Sequence, residues 1–352
     1  MMSKRVTYSP IGIDIAEESI KILQLRKQKD TISIYHASKI DLTNYQDKKE
    51  LHNKLHKLLS AARIKGKQAI VTLPSSQITS TPIKFNVREG ESIDRAILRE
   101  APNYLPFSLE DEVIDYLTLP LSDQLAQLSV LLIAARRGDI MGYLELLTQM
   151  GLEAIAIEPR YCSLFRTIKW IKEGSLDNQF IFYLDENNTI VMVLIDEKIF
   201  IVREISWGLK MIKDKIEKEL GLGGNKIETI LQQYDTESEP SNKHNHKKIG
   251  PLDAREFRQI LHEVITPPLE ELCQEIQKVL SYCVSMFQQR VVIDHALLFG
   301  KAMEINSLDQ FIQQRIGIGI ETLKDTAKTK KMLAPYPLFE TALGLALRDN
   351  NA

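Results

Sequence analysis

The sequence predicts a mixed α/β protein of two lobes, one of which carries an inserted α+β module. Its 352 residues correspond to about two domains. A theme of adjacent strands joined by short polar turns opens the chain at 10–15, 19–26 and 31–35. It returns at 180–184 (FIFYL), 189–195 (TIVMVLI) and 198–205 (KIFIVREI), which marks an internal duplication. Between the two copies, residues 72–157 read strand, helix, strand, strand, helix, strand, the order of a compact α+β insertion.

The elements follow from periodicity and breakers. Residues 46–64 place Leu51, Leu55, Leu58 and Leu59 on one helical face. His52 and His56 on that helix have the spacing of a metal clasp, but no third ligand is near and the surround is Lys-rich, so they read as a solvated face. QAIVTLP (68–74) is a buried strand ended by Pro. TSTPIKF (79–85), a helix over 91–107, VIDYLTLP, SVLLIAAR, an amphipathic helix over 139–150 and LEAIAIEP complete the insertion. A helix at 159–173 leads into the second meander, and a helix at 207–219 stops at GLGG. Residues 234–250 have almost nothing to bury and read as a mobile loop, which makes His244 and His246 solvated rather than metal-bound. A long helix at 253–288 is expected to bend or break at Pro267-Pro268. HALLFG (295–300), a helix at 306–315, IGIGIETL and a helix at 339–349 close the chain.

Composition narrows the function. With 44% hydrophobic and 26% charged residues the chain is an ordinary globular one. A net charge of −2 supplies no field to recruit nucleic acid or anionic lipid. The longest apolar runs fall far short of the ~20 residues of a spanning helix, and MMSKRVTYSP lacks the apolar core of a signal peptide. Cys162, Cys273 and Cys283 are scattered rather than paired as a zinc or redox site requires, so they read as buried thiols. The four lysines of 324–331 read as a solvated loop.

IGIDIAEESIKILQL, REAPNYLPFSLEDEVIDY and TALGLALR, with VREISWG and LLFG as weaker pieces, resemble the FtsA/PilM actin-like superfamily and, within it, the PilM family of type IV pilus assembly. The resemblance runs almost end to end. It implies an actin-like, ribonuclease H-like duplicated fold with an SHS2-like insertion. The first lobe would comprise 1–71 and 158–180, the insertion 72–157, the second lobe 181–335, and the helix in 336–352 would return to the first lobe. It also implies a nucleotide cleft between lobes, and a groove between the first lobe and the insertion. That groove takes the cytoplasmic N-terminal tail of PilN, a single-span inner-membrane protein. The implied location is cytoplasmic, at the inner membrane through that partner. Pilus or secretion motor components are further implied partners, and self-association stays open.

In the family the first phosphate motif reads Asp-x-Gly-x-x-Ser-x-Lys. Here Asp14, Ser19 and Lys21 match it, and the resemblance implies that Asp14 holds Mg²⁺ through water, Ser19 contacts phosphate and Lys21 adds positive charge, while Ala16 replaces the glycine and Glu17 and Glu18 occupy the turn. A carboxylate ~4 Å from a phosphate charge costs about 4 kcal/mol at an effective dielectric of 20. In the second phosphate motif Tyr183 and Asp185 stand where Asp and Gly belong. Of the adenosine Gly-Gly-x-Ala loop, Phe299-Gly300-Lys301-Ala302 keeps Gly300 alone, and Asn306-Ser307-Leu308 replaces Pro-Gly-Leu. The expectation is a chain in which ATP and Mg²⁺ binding is weakened and catalysis absent. For the tail, Ile83 and Phe85 on the strand 80–85 and Tyr104 and Phe107 at the end of the 91–107 helix are the candidate contacts; the alternative is an ordinary internal strand for the first pair and core packing for the second. Trp207-Gly208 stands where the family has a Gly-rich turn and reads as packing.

The leading expectation is therefore an adaptor of a type IV pilus or of a related type II secretion machine. An actin-like ATPase whose nucleotide state gates partner binding, and an FtsA-like division protein, are the alternatives. Against the latter, the chain ends in ALRDNNA without an apolar helical face for a membrane.

Overall fold

The computed structural model describes residues 6–16, 19–29, 31–42, 53, 55–57, 59–60, 62–106, 108–119, 127–172, 176–236, 254–287, 292–323 and 339–348. Glu17, Glu18, Leu51, His52, Leu58, Phe107, His244, His246 and the segments 237–250 and 324–331 lie outside them. The chain divides into two compact units, one of residues 1–176, 198–200 and 326–352, the other of 177–197 and 201–325.

The first unit is built on a six-stranded sheet of β1 (Val6–Tyr8), β2 (Ile11–Ile15), β3 (Ser19–Gln28), β4 (Thr31–Asp41), β5 (Gln68–Thr72) and β9 (Glu153–Glu158). β2, β3 and β4 form the antiparallel meander, and β5 and β9 extend it in parallel. Every residue of β2 is buried, because the sheet is covered on both faces. Ile11, Ile13, Ile15, Ile20, Ile22, Ala69 and Val71 meet Leu55 and Leu147 on one face. On the other, Leu23 and Leu25 meet Phe339, Ala342, Leu343, Ala346 and Leu347 of the C-terminal segment.

The inserted module has a sheet of its own, β6 (Ile78–Asn86), β8 (Gln127–Arg136) and β7 (Glu112–Thr118), with β8 in the centre. Helix α1 (Ile93–Glu100) covers one face and is capped by the Ser92 side chain, which accepts from the Arg95 N–H. This helix stops seven residues before the expected end at 107. Pro102 lacks an N–H, so the chain tightens into a 3₁₀ turn over Ala101–Asn103. The expectation also placed the strand LEAIAIE in the module. It is instead β9, paired with β5 in the large sheet, and Leu147 of α2 (Arg137–Gln149) belongs to that sheet's core. The apolar run is the same in either sheet, and pairing partners are not written in one strand's periodicity.

Helices α3 (Arg160–Lys172) and α8 (Glu340–Ala346) pack together over the first sheet. A Cβ at Gly344 would lie 1.9 Å from the Ser163 carbonyl oxygen, so only glycine lets the two backbones approach this closely.

A five-stranded sheet, in the second unit except for the first three residues of β12, has the order β12 (Lys198–Ile205), β11 (Thr189–Ile195), β10 (Gln179–Leu184), β13 (His295–Phe299) and β14 (Gly319–Thr322). β10 and β11 are an antiparallel hairpin, and β13 runs parallel to β10. The helices of this unit are α4 (Leu209–Leu220), α5 (Asn225–Gln233), α6 (Ala254–Phe287) and α7 (Leu308–Ile316). Helix α6 runs unbroken for 34 residues through Pro267 and Pro268. Val264, Ile265, Leu269, Leu272 and Ile276 keep an apolar face buried on both sides of the prolines, and Trp207 Nε1 donates to the Pro268 carbonyl at 2.7 Å. Tertiary packing overrides the local break that the sequence implies.

Candidate functional site

The carboxyl ends of parallel strands are where open α/β sheets hold ligands. In the first unit these ends carry a row of polar side chains. Asp14 is in register with Thr72 on β5, and Thr72 with Glu158 on β9, so all three point to the same face. Asp14 is 1% exposed, Thr72 0% and Glu158 7%. Two interstrand steps separate the carboxylates by about 10 Å.

Each carboxylate is held by cations. Asp14 Oδ1 faces Arg160 Nη2 at 3.4 Å and the Thr72 hydroxyl at 3.4 Å. Its Oδ2 faces Lys21 Nζ at 3.8 Å. Glu158 accepts two bonds from Arg166, at 2.9 and 3.1 Å, and one from Arg348 at 3.2 Å. Arg166 also donates to the Gly344 carbonyl, which ties α8 to the strand ends. The structure thus brings Asp14 and Lys21 together as an ion pair, and Ser19 is buried beside them at the start of β3. Ala16 closes the turn by donating to the Ser19 carbonyl at 3.0 Å.

The corresponding hairpin of the second unit has other chemistry. Tyr183, in register with Phe299, is 1% exposed and its ring centroid lies 5.0 Å from that of Phe299. The first N–H groups of α4 are turned on the hairpin itself: Leu209 donates to the Asp185 carbonyl at 3.1 Å and Lys210 to the Glu186 carbonyl at 2.8 Å. Helix N-termini of this kind otherwise hold anions. Gly300 has φ +109°, and a Cβ there would lie 2.5 Å from the Leu184 carbonyl oxygen, so its role here is close approach to β10. Lys301 is bonded to Glu304. Burial opposes its charge, but that bond and the fields of Glu304, Glu186 and Glu228 together raise its pKa. Lys213 in turn donates to Glu186 at 2.7 Å. Among the described residues no group of three or more His, Cys, Asp and Glu is arranged to hold a metal ion.

Ile83 and Phe85 lie in the module's core with Ala96, Ile97, Leu105, Val130 and Leu132, 2% and 5% exposed. Tyr104 is 42% exposed. The alternate positions of β6 face the other way, and there Ser80 is hydrogen-bonded to the Tyr161 hydroxyl of α3 at 2.9 Å. Burial drives the Tyr161 pKa upward, with the nearby Cys162 and Asp115 adding to it. Among the described residues β6 pairs on one side only, and Pro82 in its middle suits an edge strand. Arg160, Glu158, Arg166 and Tyr161 escaped the sequence reading. For Glu158, Arg160 and Tyr161 the signal was IEPRYC, charges at and just past the end of a strand.

A family model described as type IV pilus assembly protein PilM matches residues 12–350. Among solved structures, a PilM-PilN type IV pilus biogenesis complex matches with a TM-score of 0.74 and 18% identity, over 97% of this chain and 98% of that one. Ethanolamine utilization protein EutJ from Carboxydothermus hydrogenoformans matches at 0.53 and 12%, over 97% and 89% of the two chains. MreB 5 of Spiroplasma citri bound to AMPPNP matches at 0.52 and 11%, over 99% and 97%. At these identities the likeness speaks for the fold, which is actin-like. The chain belongs to the PilM family of type IV pilus assembly proteins.

Proposed function

We propose that this chain is an actin-like adaptor of a type IV pilus machine. It binds the short N-terminal tail of a PilN-like, single-span inner-membrane protein, between the first-lobe body and the inserted module. The observation that carries this reading is the one-sided β6, joined to α3 by the Ser80–Tyr161 bond. An extended tail adds to such an edge through backbone hydrogen bonds and seats alternate side chains in pockets. The end-to-end likeness to a chain of a PilM-PilN type IV pilus biogenesis complex supports it. No helix among the described residues is long and apolar enough to cross a membrane, so these residues reach a membrane machine through a partner. Ordering the tail opposes binding, which sets the expected affinity for an isolated peptide near micromolar, about −8 kcal/mol.

In this reading the former phosphate turns serve the fold. Engaged carboxylates at Asp14 and Glu158, the α4 N–H groups bonded to Asp185 and Glu186, and Gly300 packed on β10 all support that. Pull-down of the full-length chain on an immobilised PilN-like tail tests the proposal. Retention by wild type and loss in Ser80→Arg, with an unchanged melting temperature, is the expected result. Failure of folded wild type to be retained, with and without Mg-ATP, overturns it.

A further inference from the structure

The strand-end row supports a second conclusion that is independent of tail docking. We propose that Arg160 is a built-in counter-ion standing where the fold family implies a Mg²⁺ ion, so that this chain closes its first-unit carboxylate row to divalent cations.

Mg²⁺ takes six oxygen ligands at about 2.0–2.1 Å and gives up its waters reluctantly, so a carboxylate holds it directly or through one of those waters. The residues present do not fit it. Asp14 is 1% exposed, which leaves no room for a hydration shell. Both of its oxygens already face cations, Arg160 at 3.4 Å and Lys21 at 3.8 Å. A dication at Asp14 would meet two like charges in a buried site where bulk solvent screens them little. The other carboxylate in the row, Glu158, is bonded by Arg166 and Arg348. Arg160 is set by the fold: it is the first residue of α3, two residues after Glu158, and its side chain reaches back over the sheet to β2. A guanidinium stays charged at any pH the protein survives, so the closure has no pH at which it opens.

The experiment is a titration of the full-length chain with Mn²⁺, followed by the electron paramagnetic resonance signal of the free ion. Wild type leaves the free signal as in buffer up to about 1 mM Mn²⁺. Arg160→Ala binds one ion per chain, tighter than wild type by about tenfold or more, and is raised in melting temperature by the ion. Asp14→Asn in that background abolishes the gain. Arg160→Lys, which keeps the charge, behaves as wild type. Arg160→Gln, close in length but uncharged, replaces the alanine variant if that one does not fold. Wild type binding one Mn²⁺ that Asp14→Asn removes would overturn the proposal without any Arg160 variant. So would a folded Arg160→Ala or Arg160→Gln that binds Mn²⁺ no better than wild type.

Discussion

The hairpins β2–β3 and β10–β11 each open their sheet and lie against a parallel neighbour, yet they are stabilised in opposite ways. At the strand end of the first, Asp14 is buried beside Thr72, Lys21 and Arg160. At the strand end of the second, Tyr183 is buried against Phe299. One strand end holds ionisable groups paired with one another; the other is filled by aromatic packing. The same topology tolerates both, because the covering apolar faces hold the strands and the turn needs only satisfied polar groups. A strand-end carboxylate is therefore not by itself the mark of a ligand site. Its partners decide.

Substitution should separate the two solutions. Asp14→Ala removes the carboxylate that faces two buried cations, an expected loss of about 3–5 kcal/mol in urea unfolding. Adding Arg160→Met should restore part of it. Tyr183→Ala should lose about 3–5 kcal/mol through its cavity, and no charge removal should restore it. Equal rescue in both hairpins would break the comparison. Next in size, Gly344→Val forces α3 and α8 apart over the ionic row, with an expected loss of about 3 kcal/mol. The second unit has no such constraint at Gly317, next to open space but at φ +75°, where only backbone strain of about 1 kcal/mol opposes Gly317→Ala. In that same unit, Trp207→Phe removes the bond to Pro268 within α6, an expected cost of about 1–2 kcal/mol by thermal unfolding.

The smallest effect is a titration in the first unit. Desolvation lowers the pKa of His36 from 6.5, so its imidazole stays neutral in the fold where the unfolded chain takes up a proton. Its contribution to stability is complete above pH 6.5 and is lost as pH falls from there through the lowered folded value. An NMR titration should give a His36 midpoint below 6.5, and a midpoint at or above it would contradict the assignment.

The meanders were legible because Ile11, Ile13, Ile15 and the run TIVMVLI are apolar for strands covered on both faces. Strand pairing was not: β9 has the periodicity of either sheet, and its place is set by β5 alone. Pro267-Pro268 read as a bend or a break, and the bond from Trp207, 61 residues away, which helps keep the helix unbroken, has no local signature. For the candidate site, the resemblance of one hairpin to a family motif brought Asp14 and Lys21 together, and the two are in register across β2 and β3. Arg160 was invisible to it, lying 146 residues from Asp14, so only the fold makes them partners. Ile83 and Phe85 were picked for apolarity, the property that places them in the module's core; the facing positions, such as Ser80, alternate with them.

Isothermal titration calorimetry of the full-length chain with a synthetic N-terminal tail of a PilN-like single-span protein tests the adaptor account most directly. The account expects one tail per chain, a dissociation constant of about 1–10 µM, unchanged by Mg-ATP, and at least about tenfold weaker binding by Ser80→Arg. No heat of binding from folded protein, or binding that appears only with Mg-ATP, would contradict it.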